Sequence, residues 1–512
     1  MSWIQKLHAT YEQCHGREAP GESRLLPISH TLQQAHIDIT LDVDGNFKSG
    51  RVVQKEETVI PATEKSAGRT GKNPPPHPLC DKVQYCAFDY PIYGGKKPGF
   101  FKEYEKLLSE WCESEFSHPK AKAVLKYVQK HSLTSDLIKE KILHVDAGQK
   151  LLTRWNGEGQ TPEIFRLLTA KKGERDQGDA FIRWQVREPA NPCTAVWEDQ
   201  ALQDAWAKFD ASKKELRGLC IVTGDGQAAL AMSHPKRVRH SGDGAKLISA
   251  NDAAGFTFRG RFTDDTGLQA CGVSYEVTQK AHNALRWLIQ RQAYRNEDQA
   301  IVAWSVAGKA IPDPFKDSLS LFLSSEEAIQ SPAPNELPNA GGAGQAFALR
   351  LRKTIAGYRA KLDPTDEIVV MGLDSATPGR MAITFYRELK GAEFLERVQS
   401  WHEQHAWLQN FGKEFRFVGA PAPKDIAEAA FGRRLNDKLR KATVERLLPC
   451  IVDGQPLPRD LMESTVHRAC NRAGLEHWVW EKSLGIACAL FKGFFKEREY
   501  QMTLETDRKS VV

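Results

Sequence analysis

Ile37-Asp38-Ile39-Thr40-Leu41-Asp42-Val43-Asp44-Gly45-Asn46-Phe47-Lys48-Ser49-Gly50-Arg51-Val52-Val53 has the pattern of a β-hairpin. Ile37, Ile39, Leu41 and Val43 alternate with polar residues at the two-residue period of a half-buried strand, Asp44-Gly45-Asn46 supplies turn chemistry, and Val52 and Val53 open the return strand. Asp42 and Asp44 are spaced like the first ligands of a calcium loop. Such a loop needs glycine at its sixth position, where Phe47 stands, so a turn is expected instead.

Upstream of the hairpin, Trp3, Ile4 and Leu7 share one face of an N-terminal docking helix that lacks the apolar run of a signal peptide. Downstream, 65–100 is rich in Gly, Pro and Lys and reads as loops. A helical insertion is expected at about 101–145, from the patterns at Phe101–Cys112, Lys120–His131 and Thr134–Leu143. From Asp179 to Val277 short strand-like runs such as Gly218-Leu219-Cys220-Ile221-Val222 alternate with glycine-rich turns, and a long amphipathic helix follows through Ala281, Leu285, Leu288 and Ile289. Ile368–Leu373 and Met381–Tyr386 read as strands, with a helix beyond Gly391. From 422 to about 500 strand signals stop, and Leu435, Leu439 and Leu447 recur at helical spacing. The expected class is α+β: a mixed region over 1–421 and a C-terminal α-helical bundle over 422–512. No internal repeat is visible.

A chain of 512 residues exceeds what one core organises, so two or three units are expected. Hydrophobic residues at 41%, charged residues at 27% and a negative mean hydropathy are those of a soluble globular protein. Ten scattered cysteines without a Cys-x-x-Cys pair fit reduced thiols in a cytoplasm. His77, Cys80 and Cys86 lack a fourth zinc partner and Pro78 stiffens their spacing, which favours packing over metal. The apolar stretch Trp478–Phe495 is interrupted by Glu481, Lys482 and Lys492, so no membrane role is implied.

Catalytic signatures fail residue by residue. A Walker loop around Gly71-Lys72 would need glycine at Ser66 and a hydroxyl at Asn73, and three prolines follow where its helix should start. Gly224-Asp225-Gly226, placed after a strand ending at Thr223, lacks the third glycine of a dinucleotide fingerprint. Asp374 with Glu388-x-Lys390 loosely matches a restriction-type metal site, and a metal-dependent nuclease is the competing enzymatic hypothesis. No catalytic residue, metal or cofactor is otherwise implied.

The net charge of +6 permits nucleic-acid binding, and its placement is more informative. One Gly/Pro-rich loop carries Lys65, Arg69, Lys72 and Lys82; a second, Met232 to Lys246, carries Lys236, Arg237, Arg239 and Lys246. Arg434, Lys438 and Lys441 fall at i, i+4, i+7, as on one helical face. Exposed backbone N–H groups and cations together suit phosphates, although solvated basic loops would look the same.

Several blocks carry a family resemblance. Cys220-Ile221-Val222-Thr223-Gly224 followed by His234-Pro235-Lys236, Pro78–Tyr85, Leu268-Gln269-Ala270, Val302-Ala303-Trp304, Gly379–Ile383 and Ile451–Pro458 resemble segments of the type I-C CRISPR Cascade large subunit, in the same overall order. The resemblance implies a non-catalytic subunit that recognises a protospacer-adjacent motif in duplex DNA, helps open it, and recruits the helicase-nuclease. Its partners would be the crRNA-containing backbone subunits, target double-stranded DNA and small helical subunits; a protein-only scaffold is the other alternative. Arg69, Thr70, Gly71, Lys72 and Asn73 are then the expected motif readers, with Asn73 offering both donor and acceptor to a base edge. Lys236, Arg237, Arg239 and Lys246 are expected on phosphates, and Arg434, Lys438 and Lys441 on nucleic-acid backbone. In the family a small subunit arises by internal translation, for which Met462 is the candidate start here. Helical sequence continues there beyond the position of Val512, which leaves open a truncated C-terminus.

Overall fold

The structure, a computed structural model, describes residues 3–18, 23–69, 73–95, 100–155, 157, 159–189, 191–231, 233–240, 242–248, 272–324, 343–377, 379–412 and 415–495. Contacts divide the chain into two compact units. The first combines Met1–Leu25, Arg237–Leu247 and Ala284–Val512; the second combines Leu26–Lys236 and Ile248–Asn283. In chain order the elements begin with α1 (Trp3–Cys14), β1 (His30–Asp42), β2 (Phe47–Pro61), α2 (Glu64–Ala67), α3 (Val83–Cys86), α4 (Phe101–Glu113), α5 (Pro119–Val128), α6 (Leu133–Lys139) and α7 (Glu163–Leu167). There follow β3 (Ile182–Arg187), α8 (Gln200–Ser212), β4 (Arg217–Gly218), β5 (Ala228–Ala229), α9 (Tyr275–Gln292), β6 (Tyr294–Asn296), β7 (Gln299–Ser305), α10 (Ser318–Leu323) and α11 (Ala343–Lys361). The last are β8 (Glu367–Thr377), β9 (Arg380–Lys390), α12 (Gly391–Gln404), β10 (Trp407–Asn410), β11 (Arg416–Gly419), α13 (Pro423–Phe431), α14 (Asp437–Val452), α15 (Arg459–Cys470) and α16 (His477–Phe495).

The hairpin supplies two of the three strands of the second unit's main sheet. β1 pairs antiparallel with β2 and parallel with β3, giving the order β2-β1-β3. Asp42 closes the turn by accepting from the Asp44 and Asn46 N–H groups at 3.0 and 2.8 Å, and the bonds from the Asn46 backbone and side chain hold its carboxyl well below the ordinary range. Gly45 has φ +72°, and a Cβ there would meet the Ala123 carbonyl at 2.6 Å, so the turn seats on α5 only because glycine occupies it. Ile37, Ile39 and Leu41 are fully buried in a core with Tyr104, Trp111, Val124, Trp184 and Trp206, to which the expected helices α4–α6 contribute. The Trp184 indole N–H donates to the Leu79 carbonyl at 2.9 Å, so the large ring is buried without an orphaned donor.

One expected strand is absent. Only Arg217 and Gly218 pair, with Ala229 and Ala228; beyond them the Cys220 N–H donates to Asp225 O and Gly224 N–H to Cys220 O, both at 2.8 Å, folding 220–225 into a turn. Gly224 at φ +76° permits the reversal. Leu219 and Ile221 stay exposed, so the run has no core face to hold it extended.

The first unit is built on the antiparallel sheet β6-β7-β8-β9. β7 is buried along its whole length, with Ile301 and Ala303 in a core shared with α11 to α16. α1 docks here as its apolar face predicts: Trp304 donates its indole N–H to Thr10 Oγ1 at 2.9 Å, and the buried Lys6 ammonium lies 2.7 Å from Glu367. Described residues from Pro423 to Phe495 contain helices and no strand. Among the described residues no helix is long and apolar enough to cross a membrane.

Candidate nucleic-acid interface

In the second unit, α2 starts with a reciprocal cap: Ser66 N–H donates to Thr63 Oγ1 at 3.0 Å and Thr63 N–H to Ser66 Oγ at 2.9 Å. The position a Walker loop would give to glycine is therefore a helix-capping serine. Arg69 does not reach outward as expected of a motif reader. Its guanidinium makes two 2.7 Å bonds to the fully buried Asp81 carboxylate, a third at 3.1 Å to the Pro75 carbonyl, and lies 4.7 Å from the Tyr85 ring centroid. Burial works against the Arg69 charge, but bonded Asp81 outweighs it and raises the group above its ordinary value. Asp81 also accepts from the His77 and Lys82 N–H groups at 2.7 and 2.8 Å. Arg69 and Asp81 thus staple the two ends of the loop together. Asn73 is exposed at its described end, while Thr70, Gly71 and Lys72 lie outside the described residues. A Cβ on Gly68 would lie 4.0 Å from Lys236 Cδ, which places that lysine's stem beside the same loop.

In the first unit, Arg237 is exposed at φ +60°, its N–H donating to Asp243 O and its carbonyl accepting from Arg286 Nε, each at 3.0 Å. Arg239, expected on phosphates, is turned inward in the same way: it is 4% exposed and makes four hydrogen bonds. It bonds Asp243 at 2.8 and 3.0 Å, Ser375 Oγ at 2.8 Å and the Asp298 carbonyl. Burial pushes the Asp243 carboxyl up, but Arg239 and the Ala245 N–H outweigh it, and the group sits below the ordinary range. Lys246 joins the β8–β9 turn by backbone bonds, its N–H to Gly379 O and its carbonyl from Met381 N–H, both 3.1 Å.

The third set is broken as a stripe. Arg434 ends a 3-10 turn, Leu435 is extended, and Asn436 caps α14 by accepting from Leu439 N–H at 2.8 Å, so Arg434 lies off the helix that carries Lys438 and Lys441. Lys441 is itself engaged, 3.5 Å from both Glu297 and Asp374.

Arg239 and Lys441 nevertheless reveal an arrangement that spacing could not. Both fasten to the same two places: the β6–β7 turn, through Asp298 and Glu297, and the end of β8, through Ser375 and Asp374. Arg239 of the second basic set and Lys441 of the third are thereby gathered around one end of the sheet. Arg237, Arg380 and Lys438 are exposed there and, like the exposed Arg434, form no ion pair among the described residues. Neutralised cations pin the scaffold, while the unpaired ones leave positive charge at the surface.

The nuclease constellation does not assemble. Register puts Asp374 opposite Ala382 and Glu388 opposite Val369. Five strand residues separate these levels, about 17 Å at the usual rise, too far for one metal. Glu388 instead accepts from Tyr386 OH at 2.7 Å and lies 3.4 Å from Lys6 Nζ. Around His77, whose Nδ1 faces Ser66 Oγ at 3.0 Å, burial pushes the Cys80 thiol up to about 12 and the Cys86 thiol well above its ordinary value, opposing the thiolate that zinc requires. Among the described residues no three His, Cys, Asp or Glu side chains are grouped to hold a metal ion.

A family model described as CRISPR-associated protein (Cas_Csd1) matches residues 7–511. No curated protein matches the chain.

Proposed function

The chain belongs to the CRISPR-associated protein family Cas_Csd1, the type I-C large-subunit family that its sequence blocks resemble, and on that premise we propose that it is the non-catalytic, DNA-contacting large subunit of a type I-C Cascade complex. The observation that carries this is the family match over nearly the whole chain; the gathering of unpaired cations at the β8 end is the physical support. Guide pairing reads the target sequence, while the protein reads a short adjacent motif in the duplex.

Two surfaces divide that work. The stapled loop of the second unit offers Asn73, Lys72 and neighbouring Lys236 to the motif, with Arg69 fixing the loop instead of touching a base. Arg237, Arg380, Arg434 and Lys438 in the first unit contact phosphates, supporting opened DNA without reading it. Its partners are the crRNA-bearing backbone subunits, target duplex, the helicase-nuclease and small helical subunits. The test is binding of a randomised-motif duplex library to complex assembled with Asn73→Ala. Discrimination should fall by about 1–3 kcal/mol, and an unchanged motif preference would remove Asn73 from the proposal.

A further inference from the structure

The first unit contains a second basic surface, formed by cations other than those already described. The end of α9, β6, the segment Lys309–Asp317, α10, Tyr358 of α11 and the start of α13 line a cleft of about 720 Å³. That size falls within the roughly 300–1,000 Å³ of pockets that hold one small ligand. Five cations and two carboxylates line it.

The carboxylates and one cation are internally committed. Asp317 caps α10, accepting from the Ser320 N–H at 2.8 Å and its hydroxyl at 2.9 Å. Asp313 accepts from Phe315 N–H at 2.9 Å, and burial raises its carboxyl above the ordinary range. Lys309 pairs with Asp366 at 2.7 Å. Lys424 differs: it is exposed, has no ion pair among the described residues, and stands in the first turn of α13, whose N-cap Ala422 provides no side-chain bond. Lys316 is half exposed and 3.8 Å from Asp313. Arg295 is oriented by a 2.7 Å bond to the Ile289 carbonyl. Tyr294 and Tyr358 add two aromatic rings to the same lining.

Cations that can share several negative oxygens, beside aromatic rings that can cover a flat heterocycle, fit a particular chemistry. We propose that this cleft binds a free nucleoside di- or triphosphate, its phosphates on Lys316, Lys424 and Arg295 and its base against Tyr294 or Tyr358. No bond is broken in this proposal, and it does not depend on the DNA-contacting role above.

Titration calorimetry of the full chain with ATP tests it, with inorganic triphosphate and a 5′-phosphorylated oligothymidylate as comparison probes. Saturable ATP binding is expected, weakened about tenfold or more by the Lys316→Glu, Lys424→Glu double variant, whose exposed positions leave the unfolding midpoint unchanged. Tyr294→Leu with Tyr358→Leu should weaken ATP but not triphosphate. Absence of saturation, indifference to charge reversal, triphosphate binding as tightly as ATP, or an oligothymidylate that outcompetes ATP in the cleft would each overturn the proposal.

Discussion

Arg69 and Arg239 lie in the two loops whose basic residues first suggested nucleic-acid contact, and each is paired with a buried aspartate of its own loop. Removing one partner leaves a buried charge without compensation, so Arg69→Ala and Arg239→Ala should each lower unfolding stability by about 3 kcal/mol or more, measured by urea titration. Asn73→Ala, at an exposed position, should leave stability unchanged. Equal stability of all three variants would contradict the staple assignment. The sequence identified both loops correctly as basic and glycine-rich, but a one-letter pattern does not separate an arginine aimed at solvent from one aimed at Asp81 four prolines and a turn away. Asp81 was visible only within the Pro78–Tyr85 block and Arg380 only within Gly379–Ile383, because neither belongs to a run of like charges.

At the scale of elements, long periodic segments were legible and short ones were not. β1, β2, α4, α9, β8, β9 and α12 follow from alternation or helical spacing sustained over several residues, backed by a turn or a glycine. Gly218–Val222 misled because two apolar side chains in a tight turn imitate the composition of a buried strand. The basic i, i+4, i+7 spacing misled because the Asn436 cap starts α14 after Arg434. Lys438 and Lys441 should therefore behave differently: Lys438→Ala should weaken DNA binding by the assembled complex with stability intact, whereas Lys441→Ala should first loosen the fold around Asp374. Thermal unfolding measured beside DNA affinity separates them, and identical effects would contradict the division. Met462 is buried in the first turn of α15, so a product starting there would keep most of that helix and α16 while losing α14. Mass spectrometry of complex expressed from the full gene should show this shorter polypeptide, lost when the upstream ribosome-binding region is silently altered; no such chain in either sample rejects the internal start.

For the whole molecule, expecting more than one unit followed from length, but which residues compose each did not, since the first unit joins three separated segments. Periodicity acts over neighbours and cannot announce that Arg237–Leu247 packs with β8. Burial also gives the chain a pH response. His30 is fully buried with Nδ1 2.7 Å from the Ile28 carbonyl, and desolvation lowers its pKa from 6.5 to about 4; His36 is lowered to about 4 by burial and by Lys55 and Lys82. Between those values the unfolded chain binds more protons than the folded one, so stability is greatest above pH 6.5 and declines as pH falls toward 4. His30 alone should account for on the order of 3 kcal/mol across that window. Denaturation midpoints of wild type and His30→Gln at pH 7.5, 6 and 4.5 check this, the variant showing a shallower decline; parallel declines would contradict it. The proposed DNA-contacting role has its physical support in the unpaired cations around the β8 end, and the decisive measurement is target-duplex affinity of the assembled complex against salt, for wild type and the triple variant Arg237→Ala, Arg380→Ala, Lys438→Ala. The account predicts a log–log slope smaller by about 2 to 3, one phosphate contact per residue, with motif preference retained; an unchanged slope and affinity would contradict it.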